Sequence, residues 1–528
     1  MAELPTTYAI TSEAACRHIL WALQTRFRTS RGSSPRLRTT YYDTFDCRLY
    51  WDGGVLSAQR NQGWWLIVWK SVDGRIRYQQ KTDSLPAFAW DFPPGPFRDA
   101  LTSVIEMRRL LPMVKTENHA KSLWVLDGAK GAKKRLVRID IERGAAGAPD
   151  KTGSRHPLGP RIHLLPIAGN SKAYGQVVRF VEKDLDLRRQ ESTDLTLALA
   201  AIGRTPGDYS SKFELSLDPR MQADEAAKRI HRRLLRTIQL NEAGTRRDLD
   251  SEFLHDFRVA VRRTRTCLAQ IREVFPEETV DHFRREFSWL GRVSGPKRDL
   301  DVHLLRVDEY EASLDKKVQH HLAPLRQFLQ VRQRIEQDRL AKALQSARYQ
   351  TLILSWKGFL EEAVPEKTKL PNATRPILRV ASERIERRFR RVLMEGVVID
   401  SSSSAKALHQ LRIECKKLRY LLEFFRSLYK PEDLAPVVKD LKRLQDNLGD
   451  FNDLRMQQAA MKKSGRQMVK EGMAPGESLT AIRRLVNWLG VRQAKERKGF
   501  DKLFTQFSGT ENRERLRRLV ETRKRIGV

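Results

Sequence analysis

The sequence HDFRVAVRRTR at 255–265 is repeated 154 residues later as HQLRIECKKLR at 409–419. Because a helix turns about 100° per residue, the basic positions at offsets 0, 3, 7 and 10 fall within an arc of roughly 80°. Each copy therefore predicts a helix that carries one histidine and three cations on one side. Such cations repel one another by a few tenths of a kcal/mol per pair. A bound polyanion is the simplest explanation for keeping them together.

The similarity between the two copies extends to the segments on either side. Before the histidine segment, AKRIHRRLLR at 227–236 matches SERIERRFRR at 382–391 with a spacing of 155. After it, LGRVSGPKRDLDV at 290–302 matches LQDNLGDFNDLRM at 444–456 with a spacing of 154. We therefore expect two tandem helical bundles, related by a pseudo-twofold axis that brings both basic stripes to one groove.

The coarse pattern predicts an α+β protein in two parts. Short runs rich in aromatic and β-branched residues fill 1–205 and predict an antiparallel β barrel or tunnel-like domain with helices. Pro and Gly in 206–220 indicate a linker, after which the hydrophobic period becomes helical. We place the two helical repeats at about 222–375 and 376–505, within a domain at 221–505, and a solvated basic tail at 506–528. Gly449 and the Gly295-Pro296 pair are expected to separate helices.

Composition limits the class of protein and of partner. The 528 residues carry a formal net charge of +34, which favours a nucleic acid, polyphosphate or an anionic membrane surface as partner. The four cysteines form no CxxC pair, so neither a zinc site nor a disulfide framework is expected. The sequence shows neither a signal peptide nor a run of 18 apolar residues. We therefore expect a cytoplasmic protein without a transmembrane segment.

The two histidine segments, each followed by a Gly-then-Asp-Leu segment, resemble the CHAD family, the conserved histidine α-helical domains. The resemblance covers about 222–505 and implies an all-helical, two-repeat domain whose basic face binds inorganic polyphosphate, with a location on polyphosphate granules. It points first to the basic residues of the stripes, and the preceding helices add four arginines. These candidate polyphosphate-binding residues are His255, Arg258, Arg262, Arg263, Arg265, His409, Arg412, Lys416, Lys417, Arg419, Arg229, Arg233, Arg384 and Arg388.

The first half resembles the CYTH family, the triphosphate-tunnel fold, in the segments at 37–60, 64–70 and 171–192. That resemblance implies a barrel whose alternating carboxylates hold a divalent metal. The sequence at 4–10, 77–81 and 161–165 lacks those carboxylates, and a Mg²⁺ site needs them. We therefore expect a degenerate domain that holds no metal and no cofactor and has no catalytic residue. Basic positions that match the family are Arg38, Arg60 and Lys70, for which phosphate contact and a structural role are equally open.

Several roles remain open for individual residues. The two histidines could donate a hydrogen bond to phosphate or tie two helices together, and phosphate contact is the favoured expectation. Lys297, Arg298, Lys442 and Arg443 either widen the basic surface or are simply solvated. Asp299 and Asp453 cap helices or pair with basic neighbours.

The sequence supports three hypotheses about function. The first is a non-catalytic polyphosphate-binding protein associated with polyphosphate granules, which binds through the basic groove of the helical domain. The second is a metal-dependent triphosphatase or polyphosphatase of the CYTH type. The third is a nucleic-acid-binding protein, which rests on charge alone.

Overall fold

The computed structural model describes residues 4–127, 134–150, 153, 155–364 and 368–525. The chain divides into two compact units, Met1–Ser211 and Lys212–Val528. The first is an antiparallel sheet with helices and the second is all-helical, so the expected fold class is confirmed. Within the described part of the chain, no helix is both long and apolar enough to cross a bilayer.

The N-terminal unit is built on one nine-stranded antiparallel sheet of order β1-β9-β8-β7-β3-β4-β5-β6, with β2 paired to β7. Its strands are β1 (Thr6–Ala9), β2 (Thr29–Arg31), β3 (Arg36–Asp43), β4 (Gly54–Asn61), β5 (Trp64–Ser71), β6 (Ile76–Thr82), β7 (Leu111–Leu126), β8 (Arg135–Gly147) and β9 (His156–Pro166). Its α-helices are α1 (Glu13–Arg26), α2 (Arg48–Trp51), α3 (Pro96–Ile105), α4 (Ser171–Arg179) and α5 (Asp194–Ala201), and α4 continues into a π-helical turn, Phe180–Asp184.

Alternation along the strands decides which sheet face each helix covers. Val137, Ile139 and Ile141 of β8 are buried at every second position, as a strand with one apolar face requires. They pack with α1 and α4 in one cluster. A second cluster places Trp69 of β5 against Leu101 of α3.

The helical unit has a single large core and a smaller one. Its helices among the described residues are α6 (Ala223–Arg246), α7 (Ser251–Gln270), α8 (Glu277–Val293), α9 (Gly295–Leu305), α10 (Val307–Ala312), α11 (Lys316–Gln319), α12 (Ala323–Gln345), α13 (Ala347–Glu361), α14 (Ile377–Val397), α15 (Ala405–Phe424), α16 (Pro431–Lys470), α17 (Gly476–Ser508) and α18 (Thr510–Arg525). Side-chain caps start both histidine helices, from Asp250 for α7 and Ser404 for α15.

A reciprocal pair of backbone hydrogen bonds relates the two repeats. Ala223 donates to the carbonyl of Arg375 at 2.9 Å, and Ile377 donates to the carbonyl of Met221 at 2.8 Å. Ala223 and Ile377 are 154 residues apart, and so are Met221 and Arg375. The two bonds are therefore equivalent to each other, and they flank an antiparallel bridge between the equivalent residues Gln222 and Pro376. This is the local twofold relation expected from the repeat.

The two repeats differ at the matched glycines. In the first repeat the helix is interrupted between α8 and α9, where Pro296 follows Gly295. In the second repeat α16 runs unbroken from Pro431 to Lys470, so the expected break at Gly449 is wrong. Asp450 follows that glycine, and an aspartate keeps the backbone N–H that a proline lacks.

Residues of the expected linker and of the tail that was expected to be solvated pack on the helical core. In the expected linker at 206–220, Leu217 is buried in the core and Phe213 is packed against it. In the expected tail at 506–528, α18 buries Leu516 and Leu519 in the same core. The tail is therefore a core helix as far as the described residues go, and 526–528 lie outside them. Its apolar residues three positions apart share one helix face, which explains the burial.

Candidate functional site

The histidine helices α7 and α15 contribute to one cavity of about 440 Å³ in the helical unit. Arg262 of α7 and Lys416 of α15 both line it, and they are equivalent positions of the repeat. Part of each basic stripe thus reaches a common cavity. Its lining comprises Arg262, Arg265, Thr266, Ala269, Gln270, Arg284, Ser288, Arg412, Ile413, Lys416, Lys417 and Tyr420.

The lining of this cavity, named here the inter-repeat pocket, contains basic residues and no acidic one. Three of its cations form ion pairs with carboxylates that are not part of the lining: Arg412 with Asp453 at 3.2 Å, Lys417 with Glu414 at 2.7 Å, and Arg284 with Asp281 at 3.3 Å. The other three form no ion pair with any described carboxylate. They are Arg262, Arg265 and Lys416.

Tyr420 holds one of these cations in position. The Nε of Arg262 donates a hydrogen bond to the Tyr420 hydroxyl at 2.7 Å. Because this bond uses only Nε, the two terminal nitrogens of the guanidinium keep their donors for another partner. Tyr420 stands 11 residues after His409, which is about 20° from it on the helix, so a helical projection could have found it.

Burial and neighbouring cations disfavour further positive charge in the pocket. Burial, then Arg412 and Arg262, lower the pKa of Lys416 to about 7. Burial, then Arg292 and Arg284, also lower the pKa of Arg265. Arginine stays charged nevertheless, so of Arg265 and Lys416 only Lys416 can change its charge.

The two histidines tie neighbouring helices together. Nδ1 of His255 lies 3.0 Å from Nη2 of Arg298, and Nδ1 of His409 lies 2.9 Å from Oδ1 of Asn452. Arg298 and Asn452 are themselves equivalent, 154 residues apart. Neither histidine belongs to the lining of the pocket. The structure thus places both histidines in hydrogen bonds between helices, which was the alternative to phosphate contact.

Arg258 is held in the joint between α8 and α9. Its Nη1 donates to the Gly291 carbonyl and to the Ser294 hydroxyl, each at 2.9 Å. Burial lowers the pKa of Arg258, and the nearby carboxylate of Asp299 opposes that shift. Arg258 is absent from the pocket lining, so it does not join its counterpart Arg412 there.

Two more stripe residues turn away from the pocket. Arg263 donates to Glu423 at 2.6 Å and lies over the rings of Phe213 and Tyr420. Arg419 donates to the same Glu423 at 2.6 Å and to Gln445 at 3.3 Å. Arg263 stands eight residues after His255, about 80° round the helix on the side away from Arg265, so the sequence already set it apart.

The predicted arginines on α6 and α14, the helices that precede the histidine helices, bind residues outside the pocket lining. The exception is a hydrogen bond from Arg388 to Gln270, which belongs to the lining. On α6, Arg229 pairs with Glu225 at 3.0 Å, and Arg233 donates to Thr237 at 3.4 Å. On α14, Arg384 lies 3.9 Å from Glu273, while Arg388 binds Glu414 and donates to Gln270 at 2.5 Å. Arg388 lines a separate, more acidic surface cavity along α14.

The expectation that Lys297 adds to the basic surface is wrong. Its side chain is 1% exposed and binds Asp301 at 2.5 Å and Asp248 at 2.8 Å. A lysine is buried only when its ammonium has such partners, so this one is structural. Lys442 and Arg443 are exposed on α16, and Arg443 lies 3.7 Å from Asp440.

The N-terminal unit holds a buried polar network that the sequence search missed. Glu142 accepts hydrogen bonds from Asn118 at 2.7 Å and Arg161 at 2.5 Å. Burial would raise the pKa of Glu142, but bonding and charge from His163 and Arg161 lower it overall. Asp140 and Glu142 alternate on β8, which pairs with the segment 161–165 of β9 that lacks carboxylates. Among the described residues, no group of three or more His, Cys, Asp or Glu could hold a metal ion.

The three basic positions proposed for the N-terminal unit are all exposed. Arg38 donates to Glu117 at 3.3 Å, and Arg36 and Arg155 pair with the same carboxylate. Arg60 lies over the ring of Trp65. Arg38, Arg60 and Lys70 stand on three neighbouring strands, β3, β4 and β5.

A family model for the CHAD domain matches residues 229–462. These residues are a CHAD domain. The match contains α7, α15 and the whole lining of the inter-repeat pocket.

Solved structures give further similarities. The CHAD domain of the plant Ricinus communis is 25% identical, with 56% of this chain and 95% of that chain covered and a TM-score of 0.48. PptA from Streptomyces chartreusis is 16% identical, with 54% and 98% covered and a TM-score of 0.39. A putative adenylyl cyclase from Hippeastrum, described as having a dominant triphosphatase activity, is 11% identical, with 40% and 100% covered and a TM-score of 0.26. Among curated proteins, none matches the chain.

Proposed function

We propose that the CHAD domain of this protein binds inorganic polyphosphate in the inter-repeat pocket. The observation that carries the proposal is the meeting of both repeats at one cavity lined by six basic residues and no acidic one. Half of these cations lack a carboxylate partner among the described residues. A chain of phosphates would supply the negative charge that the pocket itself does not contain.

The chemistry of the lining suits phosphate oxygens. Arginine presents a planar fork of donors that can bind two non-bridging oxygens at once, and lysine adds a mobile point charge. The volume of about 440 Å³ lies within the range of ordinary ligand sites. Attachment to polyphosphate granules would follow from such binding and is part of the proposal.

A four-residue variant tests the site. Arg262, Arg265, Arg412 and Lys416 are replaced together by alanine, and the affinity for long-chain polyphosphate is measured at about 150 mM salt. We expect a loss of at least roughly 100-fold, because three uncompensated cations and a fourth contact disappear, and a shallower dependence of affinity on salt. Arg258 is left intact because its bonds join α8 to α9.

The matched control removes the same charge from an exposed surface. Lys462, Lys463, Arg466 and Lys470 lie exposed on α16, away from the pocket lining. Their replacement by alanine should change the affinity by less than about fivefold. Equal losses in both variants would mean that binding is spread over the surface, and unchanged binding by a folded pocket variant would reject the proposal. Duplex DNA and RNA serve as competitors, and a preference for either would favour the nucleic-acid alternative.

A further inference from the structure

Lys416 differs from the other residues that line the inter-repeat pocket. It is a half-buried amine with no ion pair to a described carboxylate, in a cavity whose other cations are mostly arginines. The charged and titratable groups around it come from four helices: Arg262 and Arg265 on α7, Arg284 on α8, Arg412, Lys417, Arg419 and Tyr420 on α15, and Asp453 on α16. The single carboxylate among them, Asp453, is already bound by Arg412.

We propose that Lys416 takes up a proton when a polyanion enters the inter-repeat pocket, so that affinity for the polyanion falls as the pH rises above neutrality. This inference rests on the proposed function and adds the regulation of the same site. It assigns to Lys416 a role that the arginines beside it cannot share.

The electrostatics of the empty pocket explain why the proton is lost there. Guanidinium groups do not deprotonate in proteins, so repulsion among the cations can be relieved at a lysine but not at an arginine. Of the two lysines in the lining, Lys417 is paired with Glu414, and Lys416 has no ion pair with a described carboxylate. Burial adds to this effect because it disfavours the charged form of an amine. Both causes act on Lys416, whose pKa they lower to about 7.

A bound polyanion reverses the balance. Its charges lie among the same cations, so the protonated form of Lys416 gains an attraction that the neutral amine lacks, and its pKa rises. Well below pH 7 the amine is protonated with or without ligand, and the affinity does not vary with pH through this group. Above pH 7 the empty pocket holds the neutral amine, and binding must first add a proton. Each pH unit then lowers the affinity by up to tenfold.

Affinity measured against pH tests this with one matched pair of variants. Long-chain polyphosphate is used at constant ionic strength, because the internal units of a long chain stay ionised throughout. Between pH 7 and pH 8.5 we expect the affinity of the unmodified protein to fall by roughly tenfold. Lys416→Arg, which keeps the charge at every pH, should still bind and should change by less than about twofold. Lys462→Arg, at an exposed lysine of α16 outside the pocket lining, should keep the pH dependence of the unmodified protein.

A calorimetric measurement needs no variant. Binding heats recorded at pH 8 in two buffers of different ionisation enthalpy give the number of protons taken up, and we expect about one. Binding without proton uptake, or an undiminished pH dependence in Lys416→Arg, would overturn this inference and leave the proposed function intact. No binding of polyphosphate even at pH 6.5 would refute the proposed function and the inference with it.

Discussion

The two repeats carry the same basic pattern but use it differently. In the first repeat Arg258 donates to the carbonyl of Gly291, in the last turn of α8. In the second repeat its counterpart Arg412 lines the inter-repeat pocket and pairs with Asp453. The cause is the backbone behind each arginine. A helix that ends leaves its last carbonyls without intrahelical partners, and Arg258 binds one of them.

The continuous helix offers no such acceptor. Gln445 is the counterpart of Gly291, and it lies inside α16, where backbone carbonyls accept from the residue four positions later. Arg412 therefore pairs with Asp453 and lines the pocket instead of binding a backbone carbonyl of α16. At this pair of positions, the arginine lines the pocket in the repeat whose neighbouring helix is unbroken, and binds a helix-end carbonyl in the other.

The largest expected effect concerns a position where the repeats diverge completely. Lys297 is buried against Asp248 and Asp301, whereas its counterpart 154 residues later is the buried Phe451. Lys297→Met would leave the buried Asp301, and the exposed Asp248 beside it, without their cation. We expect the free energy of unfolding to fall by about 3–5 kcal/mol, measured by urea denaturation.

The pH dependence of that loss has a defined sign. Burial already raises the pKa of Asp301, and removal of Lys297 would raise it further. A protonated Asp301 needs no cation, so the deficit should be larger at pH 8 than at pH 5. The exposed Lys442→Met serves as the control and should change stability by less than about 0.5 kcal/mol. A Lys297→Met protein as stable as this control would show that the buried pair is dispensable.

The sequence predicted the helical faces well and the partners of the cations poorly. The repeat and the offsets along α7 and α15 predicted one groove for both stripes, and part of each stripe, including Arg262 and Lys416, reaches the same pocket. The hydrogen bonds of Arg258 to Gly291 and Ser294 were not predictable, because they depend on where α8 ends. Lys297 was misjudged although its partner Asp301 stands four residues after it, because its burial depends on how α9 packs and on Asp248, 49 residues away in sequence.

The next prediction separates the two matched arginines. Arg412→Met should lower the affinity for polyphosphate by about tenfold, since it removes a contact from the pocket. Arg258→Met should change that affinity by less than about twofold, but should lower stability by about 1–3 kcal/mol because a buried carbonyl and hydroxyl lose their donor. Affinity titrations and thermal unfolding of both variants give the comparison. If Arg258→Met weakens binding as much as Arg412→Met does, the two repeats use their arginines alike.

The smallest expected effect tests what the histidines do. Asn452→Ala removes the partner of His409, and Arg298→Ala removes the partner of His255. If each histidine ties two helices, Asn452→Ala should lower the free energy of unfolding by about 1 kcal/mol, the usual net value of one hydrogen bond, and leave polyphosphate affinity unchanged. Arg298→Ala should cost somewhat more, since Arg298 also donates to the Ser251 carbonyl. His409→Ala should then match Asn452→Ala in both measurements. A His409→Ala protein that keeps its stability but loses affinity would instead place the imidazole on the ligand, and the two histidines would belong to the binding surface after all.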